Sequence, residues 1–205
     1  MSSTDLSAIV SARLCHDLIS PMGAIGNGLE LLQMSEGAGA DELSLINDSL
    51  ATALAKLRFF RVAFGPADRD ARQSFDEAAQ ITDGMFHGRF TVNWTPTRGG
   101  MSRQTARLAY LAILCAEKSL PLGGALEIDV VDDRIDLRLQ GAKTAPPAEL
   151  WAHVTTGEPL AEIRSDAVQF ALLRAGLEAS GRTIKAEFAQ NGLVLGVTSP
   201  SPALV

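Results

Sequence analysis

Residues 4–34 read TDLSAIVSARLCHDLISPMGAIGNGLELLQM. Within this stretch Leu6, Val10, Leu14, Leu18, Met22, Ile25, Leu29 and Leu32 recur at spacings of three and four, the period of one face of an α-helix. The pattern predicts a single long amphipathic helix, with Ser3 or Thr4 as its N-cap and Asp5 at the positive end of its dipole. SEGAGA at 35–40 breaks the period with two glycines, so the chain turns there. From Asp41 a second helix follows, in which Leu43, Ile46, Leu50, Ala53, Leu57, Phe60 and Phe64 alternate by three and four. Gly65-Pro66 stops it. Two such helices make an antiparallel hairpin, but Leu54 and Phe59 broaden the second stripe beyond what a hairpin alone can cover. A four-helix bundle built by two chains is the economical solution, so a homodimer is expected.

Past Pro66 the texture changes to shorter elements, which divides the chain into a hairpin over 1–66 and a second domain over 67–205. Helices are expected at 68–86, 102–119 and 166–180, the last closed by Gly181 at its C′ position. Strands are expected at 89–94, 126–131, 134–140, 183–189 and 193–198, with turns at Asp132-Asp133 and Asn191-Gly192. The sum is an α+β protein: a helical hairpin followed by an α/β sandwich with helices on one face of a mixed sheet.

Composition narrows the classes of function. The 205 residues are 46% hydrophobic and 20% charged, the balance of a soluble globular chain. Leu108 to Ala116, the longest uncharged apolar stretch, falls far short of the roughly 20 residues of a membrane helix, and the N-terminus lacks a basic leader. A cytoplasmic protein with no membrane association is expected. Cys15 and Cys115 stand a hundred positions apart, neither a disulfide framework nor a zinc spacing. The net charge of −6 argues against a nucleic-acid groove, which needs clustered Lys and Arg. A protein partner fits better.

The dense local signal is Arg13-Leu14-Cys15-His16-Asp17-Leu18-Ile19-Ser20-Pro21. On a helix His16 sits about 200° round from Leu14, away from the apolar stripe, and should be exposed. Asp17 puts a carboxylate beside an imidazole that is suited to acid and base roles near neutrality. Pro21 stands in the interior of a helix at a cost of roughly 3 kcal/mol, because it removes one backbone bond and clashes with the carbonyl of Asp17. A kink one turn after the histidine is expected, at a cost that is tolerated where function demands it or where the kink improves packing.

His16-Asp17-Leu18-Ile19-Ser20-Pro21 resembles the phosphoacceptor box of two-component sensor kinases, which opens a dimerising helical hairpin. With Arg13-Leu14-Cys15 in front and Ile19 where kinases carry arginine, the string is more similar to the ChpT-type histidine phosphotransferases of alphaproteobacterial phosphorelays. The order of elements after residue 67 resembles a sensor-kinase ATP-binding domain. Leu111 and Cys115 stand at the two asparagine positions of its nucleotide helix, Gln140-Gly141-Ala142-Lys143 lacks the adenine-reading carboxylate, and Gly157-Glu158-Pro159 is the nearest remnant of a glycine lid. The resemblance therefore implies a kinase-like fold that has lost ATP. It implies a relay in which His16 accepts a phosphoryl group from a receiver-domain aspartate and passes it to another. Asp17 would orient the imidazole or act in acid-base chemistry, and Arg13, one turn before His16, can reach a phosphate oxygen or remain solvated. The implied partners are receiver domains of a hybrid histidine kinase and of response regulators. No cofactor of its own is implied, the Mg²⁺ coming from the receiver.

Two other readings compete, a dimeric signalling adaptor that carries no phosphate and an active histidine kinase fragment. His87 and His153 lack carboxylate or cysteine partners at ligand spacing. Gly23, Gly26 and Gly28 lie inside a helix, so they form no dinucleotide loop. They either admit a partner beside His16 or permit close helix packing. Trp94 and Trp151 read as core or interface anchors.

Overall fold

A computed structural model describes residues 3–34, 39–68, 70–95 and 98–198. Helix α1 (Ser3–Met34) runs unbroken through Pro21, and α2 (Ala40–Ala63) lies antiparallel beside it. Two contacts fix the register: a Cβ on Gly28 would stand 2.7 Å from the Ile46 side chain, and Lys56 bonds the backbone of Asp17. Gly28 thus serves helix packing, whereas Gly23 and Gly26 face open space. Most of the turn expected at 35–40, and the side chains of Ser3 and Thr4 with their capping role, lie outside the described residues.

The rest of the chain forms β1 (Arg72–Ser74), α3 (Phe75–Met85), β2 (Phe90–Trp94), β3 (Gly100–Ser102), α4 (Arg103–Glu117), β4 (Gly124–Val131), β5 (Arg134–Gln140), α5 (Ala148–Thr156), α6 (Val168–Ser180), β6 (Thr183–Ala189) and β7 (Gly192–Thr198). The main sheet has the order β2-β4-β5-β7-β6. Only β2 and β4 pair in parallel; the other neighbours are antiparallel. Leu126, Ile128, Val130, Ile135, Leu137, Leu139, Leu193, Leu195 and Val197 are buried while their alternates are more open, which is the signature of a sheet covered on one face. The tight turn from β4 to β5 holds Asp132 and Asp133 at φ 48° and 66°, the left-handed pair that a two-residue hairpin requires. Helix α4 sits against α2 and α6 and is buried nearly all round, from Leu108 to Ala116. Among the described residues no helix is long and apolar enough to cross a membrane.

Three differences from the sequence reading have physical causes. The helix expected from 68 begins only at Phe75, because Ser74 caps it by accepting from the Glu77 N–H and Arg72–Ser74 pair with Gly100–Ser102 as a short ribbon. Helix α5 was absent from the expected elements: it is nine residues long, buries only Trp151 and Val154, and ends at Gly157 in the left-handed conformation. Gly157 is thus a helix cap rather than part of a phosphate-binding lid. Finally, the stripe on α2 is divided. Phe59 and Phe60 are buried in the core below, with Phe59 packed 5.2 Å from Phe86 and 4.7 Å from Tyr110 between ring centroids, whereas Leu43, Leu50, Leu54 and Leu57 are exposed.

Candidate functional site

Midway along α1 the side chain of His16 is 82% exposed, while that of Asp17 beside it is only 13% exposed. The outward aim of His16 follows from its place opposite the apolar stripe. Asp17 instead turns into the angle between the hairpin and the α/β layer. Its two carboxylate oxygens have separate partners: Oδ1 lies 3.0 Å from His16 Nδ1 and Oδ2 accepts from Arg13 Nε at 2.7 Å. With Asp17 ionised, the His16 bond requires the proton to sit on Nδ1. In the neutral imidazole Nε2 is then an unprotonated lone pair on an exposed ring, which is what a nucleophile needs.

Arg13 is 18% exposed at its side chain, not on an open outer face. One turn of helix brings it to Asp17, and its terminal nitrogen donates to the Asp166 carbonyl at 3.2 Å. Asp166 lies in the short turn before α6, where its carboxylate accepts from Lys118 at 2.6 Å and pairs with Arg164 at 3.3 Å. The Lys118 ammonium, with Arg164 and Arg13 nearby, holds the Asp166 carboxyl below the usual carboxylate range, although partial desolvation works against them. A chain of polar contacts thus runs from His16 through Asp17 and Arg13 to the end of α4 and the start of α6. Glu117 lies within the field of Arg13, Asp17, Lys118 and Lys56; burial pushes its carboxyl up, and the Arg13 guanidinium acts in the opposite direction.

The carbonyl that Pro21 leaves without its helical donor has a partner that the sequence reading missed. Proline has no N–H to give to the carbonyl four residues back, and that carbonyl, on Asp17, accepts instead from Lys56 Nζ of α2 at 2.9 Å. A lysine on the second helix, 39 residues away, carries no sequence signal that links it to Asp17.

The remaining candidates are separate from this cluster. His87 lies exposed in the loop between α3 and β2, and His153 donates from Nδ1 to the Glu158 carbonyl at 2.7 Å. Trp151 is core, its indole N–H held by Ser119, and Trp94 is half-buried against Thr82. Leu111 and Cys115, at the kinase asparagine positions, are fully buried, and burial pushes the Cys115 thiol well up. Among the described residues no group of three or more His, Cys, Asp or Glu side chains converges as a metal site would require.

Comparison with known proteins gives consistent results. The family model of the histidine phosphotransferase C-terminal domain matches residues 75–192. The protein phosphotransferase ChpT of Brucella abortus (strain 2308) is 35% identical over 148 residues, a match that spans 71% of this chain and 66% of that protein. A solved structure of a bacterial phosphotransferase superposes with a TM-score of 0.82 at 28% identity, covering 97% of this chain and 98% of the other.

Proposed function

The chain belongs to the histidine phosphotransferase family, and from that membership we propose that it relays a phosphoryl group between receiver-domain aspartates through a phosphohistidine at His16. The observation that carries the reading is the His16–Asp17 pair, with the imidazole in solvent, Nδ1 against a carboxylate and Nε2 free. Nε2 attacks the phosphorus of a receiver phospho-aspartate in line with the departing carboxylate, so the P–O bond breaks as the P–N bond forms. Asp17 neutralises the positive charge that the ring acquires, and Arg13 holds Asp17. Arg13 engages Asp17 through Nε and the Asp166 carbonyl through Nη1, so a direct contact with the phosphoryl group would fall to Nη2. The second receiver's aspartate then reverses the step. Mg²⁺ comes with the receiver, and the partners are receiver domains of a hybrid kinase and of response regulators in the cytoplasm. The test is incubation with a phosphorylated receiver, followed by counting of acid-labile label on this chain.

Asp17→Asn should slow labelling by about 10²-fold without abolishing it, the lower end of what a positioned acid-base group contributes. An amide oxygen can face His16 or Arg13 but not both, and the compensating charge is gone. Stopped-flow rates equal to the parent would reduce Asp17 to a surface charge.

The reading assigns the hairpin (1–66) to phosphotransfer and dimerisation, and residues 67–205 to a kinase-like domain that does not use ATP. Buried Leu111 and Cys115 offer no ligand where a kinase places its asparagines. Calorimetry with Mg-ATP at millimolar concentration should give no saturable heat; micromolar binding would revive the kinase reading. A homodimer is supported by the surface, since most of the exposed large hydrophobic side chains among the described residues lie on α1 and α2. Labelling at His16 also separates the relay from an adaptor, which would take none.

A further inference from the structure

The bond from Lys56 to the Asp17 carbonyl has no place in the transfer step described above, yet it sits one residue from the phosphoacceptor. Pro21 removes the N–H that would close the helical turn Asp17–Pro21, and it does so where the Pro21 ring is buried. A part-buried carbonyl left without a donor is costly, and a donor from the neighbouring helix makes good the loss. Lys56 Nζ does so at 2.9 Å, and a charged donor makes the bond stronger than the one it replaces. The same contact ties α2 to α1 at the level of His16, whereas Arg13 ties that level to the α/β layer through Asp166. The Asp17 backbone is thereby held from one side and its carboxylate from the other.

We propose that Lys56 is a positioning residue for phosphoryl transfer, clamping the carbonyl that Pro21 leaves free and so fixing the Asp17 carboxylate against His16 Nδ1. The inference rests on the relay reading of His16. The arrangement makes a specific demand: Lys56 matters because residue 21 is proline. Replacing Pro21 with alanine restores an N–H to the Asp17 carbonyl, and the clamp then has nothing to hold.

The experiment is a double-mutant cycle of Lys56→Met and Pro21→Ala, with Lys56→Arg as the conservative variant. Transfer from a phosphorylated receiver is followed by stopped flow over a range of receiver concentrations. Lys56→Met should lower the saturating rate roughly tenfold, about 1.4 kcal/mol, and leave the half-saturating receiver concentration unchanged. Lys56→Arg should restore the rate to within about threefold of the parent, because a guanidinium can still donate to the carbonyl. In the Pro21→Ala background the same Lys56→Met change should cost less than about twofold. An equal loss in both backgrounds would overturn the clamp, since Lys56 would then act as a free cation; so would a change confined to the half-saturating concentration, which would place Lys56 in docking. No loss in either background would overturn it as well. Thermal melting of the four proteins of the cycle reads the bond without phosphate: Lys56→Met should lower Tm when Pro21 is present and leave it unchanged in the Pro21→Ala background. If the parent takes no label while the melting cycle shows this coupling, the relay reading has failed and the bond stands. If the parent is labelled and neither rate nor melting shows coupling, the clamp has failed and the relay stands.

Discussion

His16→Ala should take no label from a phosphorylated receiver and should keep the fold of the parent. Both halves of this result follow from the position of the side chain. At 82% exposure, with Asp17 as its hydrogen-bond partner, the imidazole contributes little to packing, and surface changes of this kind stay within about 0.5 kcal/mol. A loss of labelling is therefore a loss of chemistry and not of structure. The effect should be complete, in contrast to the graded loss on changing Asp17, because no other group of the cluster can replace the nucleophile. Arg13 and Lys56 are cationic donors, and Asp17 is itself held between two partners. His153 is committed through Nδ1 to a backbone carbonyl, and His87 lies in the loop that leads into β2. Replacing either should leave transfer intact. Circular dichroism together with acid-labile labelling measures both quantities on one preparation. Full labelling of a folded His16→Ala protein would move the phosphoacceptor elsewhere.

The hairpin and most of the sheet were legible because their residues obey a period. Leu6 to Leu32 repeat by three and four, Arg134 to Gln140 alternate strictly, and Gly181 stands where a helix must end. The ribbon of Arg72–Ser74 with Gly100–Ser102 is too short to show a period, and its partners lie far apart in the chain. Helix α5 has a proline before it and a glycine after it, but its nine residues bury too few side chains to mark a face. The contact between His16 and Asp17 could be read because the two residues are adjacent in the chain. The role of Arg13 could not, because its second partner is Asp166, 153 residues on, and the Lys56 bond arises from an absence, the missing N–H of Pro21. Heptad spacing also could not tell which apolar residues of α2 face the chain's own core. Phe59, with Phe60 beside it, fills that core because α4 and the loop after α3 supply rings to meet it, whereas the leucines above are exposed among the described residues.

Those leucines set the second large expected effect: with the proposed dimer built on them, Leu50→Glu should give a folded monomer. Leu43, Leu50, Leu54 and Leu57 recur along α2 and are each more than two-fifths exposed in the single chain, as are Met22 and Leu29 on α1. A patch of this kind on an otherwise well-buried protein marks an interface. Burying each leucine is worth roughly 1.5 to 3 kcal/mol, enough in sum to offset the entropy of association. In the isolated chain a glutamate at 50 simply faces water, and glutamate is a good helix former, so α2 should persist. In a two-fold symmetric bundle the substitution counts twice, with an unpartnered carboxylate buried from each chain. A cost of several kcal/mol weakens association by about 10³-fold or more. Light scattering over a concentration series should therefore give the mass of two chains for the parent and of one for Leu50→Glu, with helical dichroism unchanged. A variant that keeps the parent's mass would place the interface on another face. A variant that loses its helices would show that α2 depends on its partner to fold, and the bundle would then be obligate rather than a docking of preformed hairpins. Because His16 points away from the apolar stripe, each dimer should present two phosphoacceptors. Native mass spectrometry with a saturating receiver should then count two receivers on the parent dimer and one on the Leu50→Glu monomer, whereas a single receiver per parent dimer would mean that the two docking faces overlap.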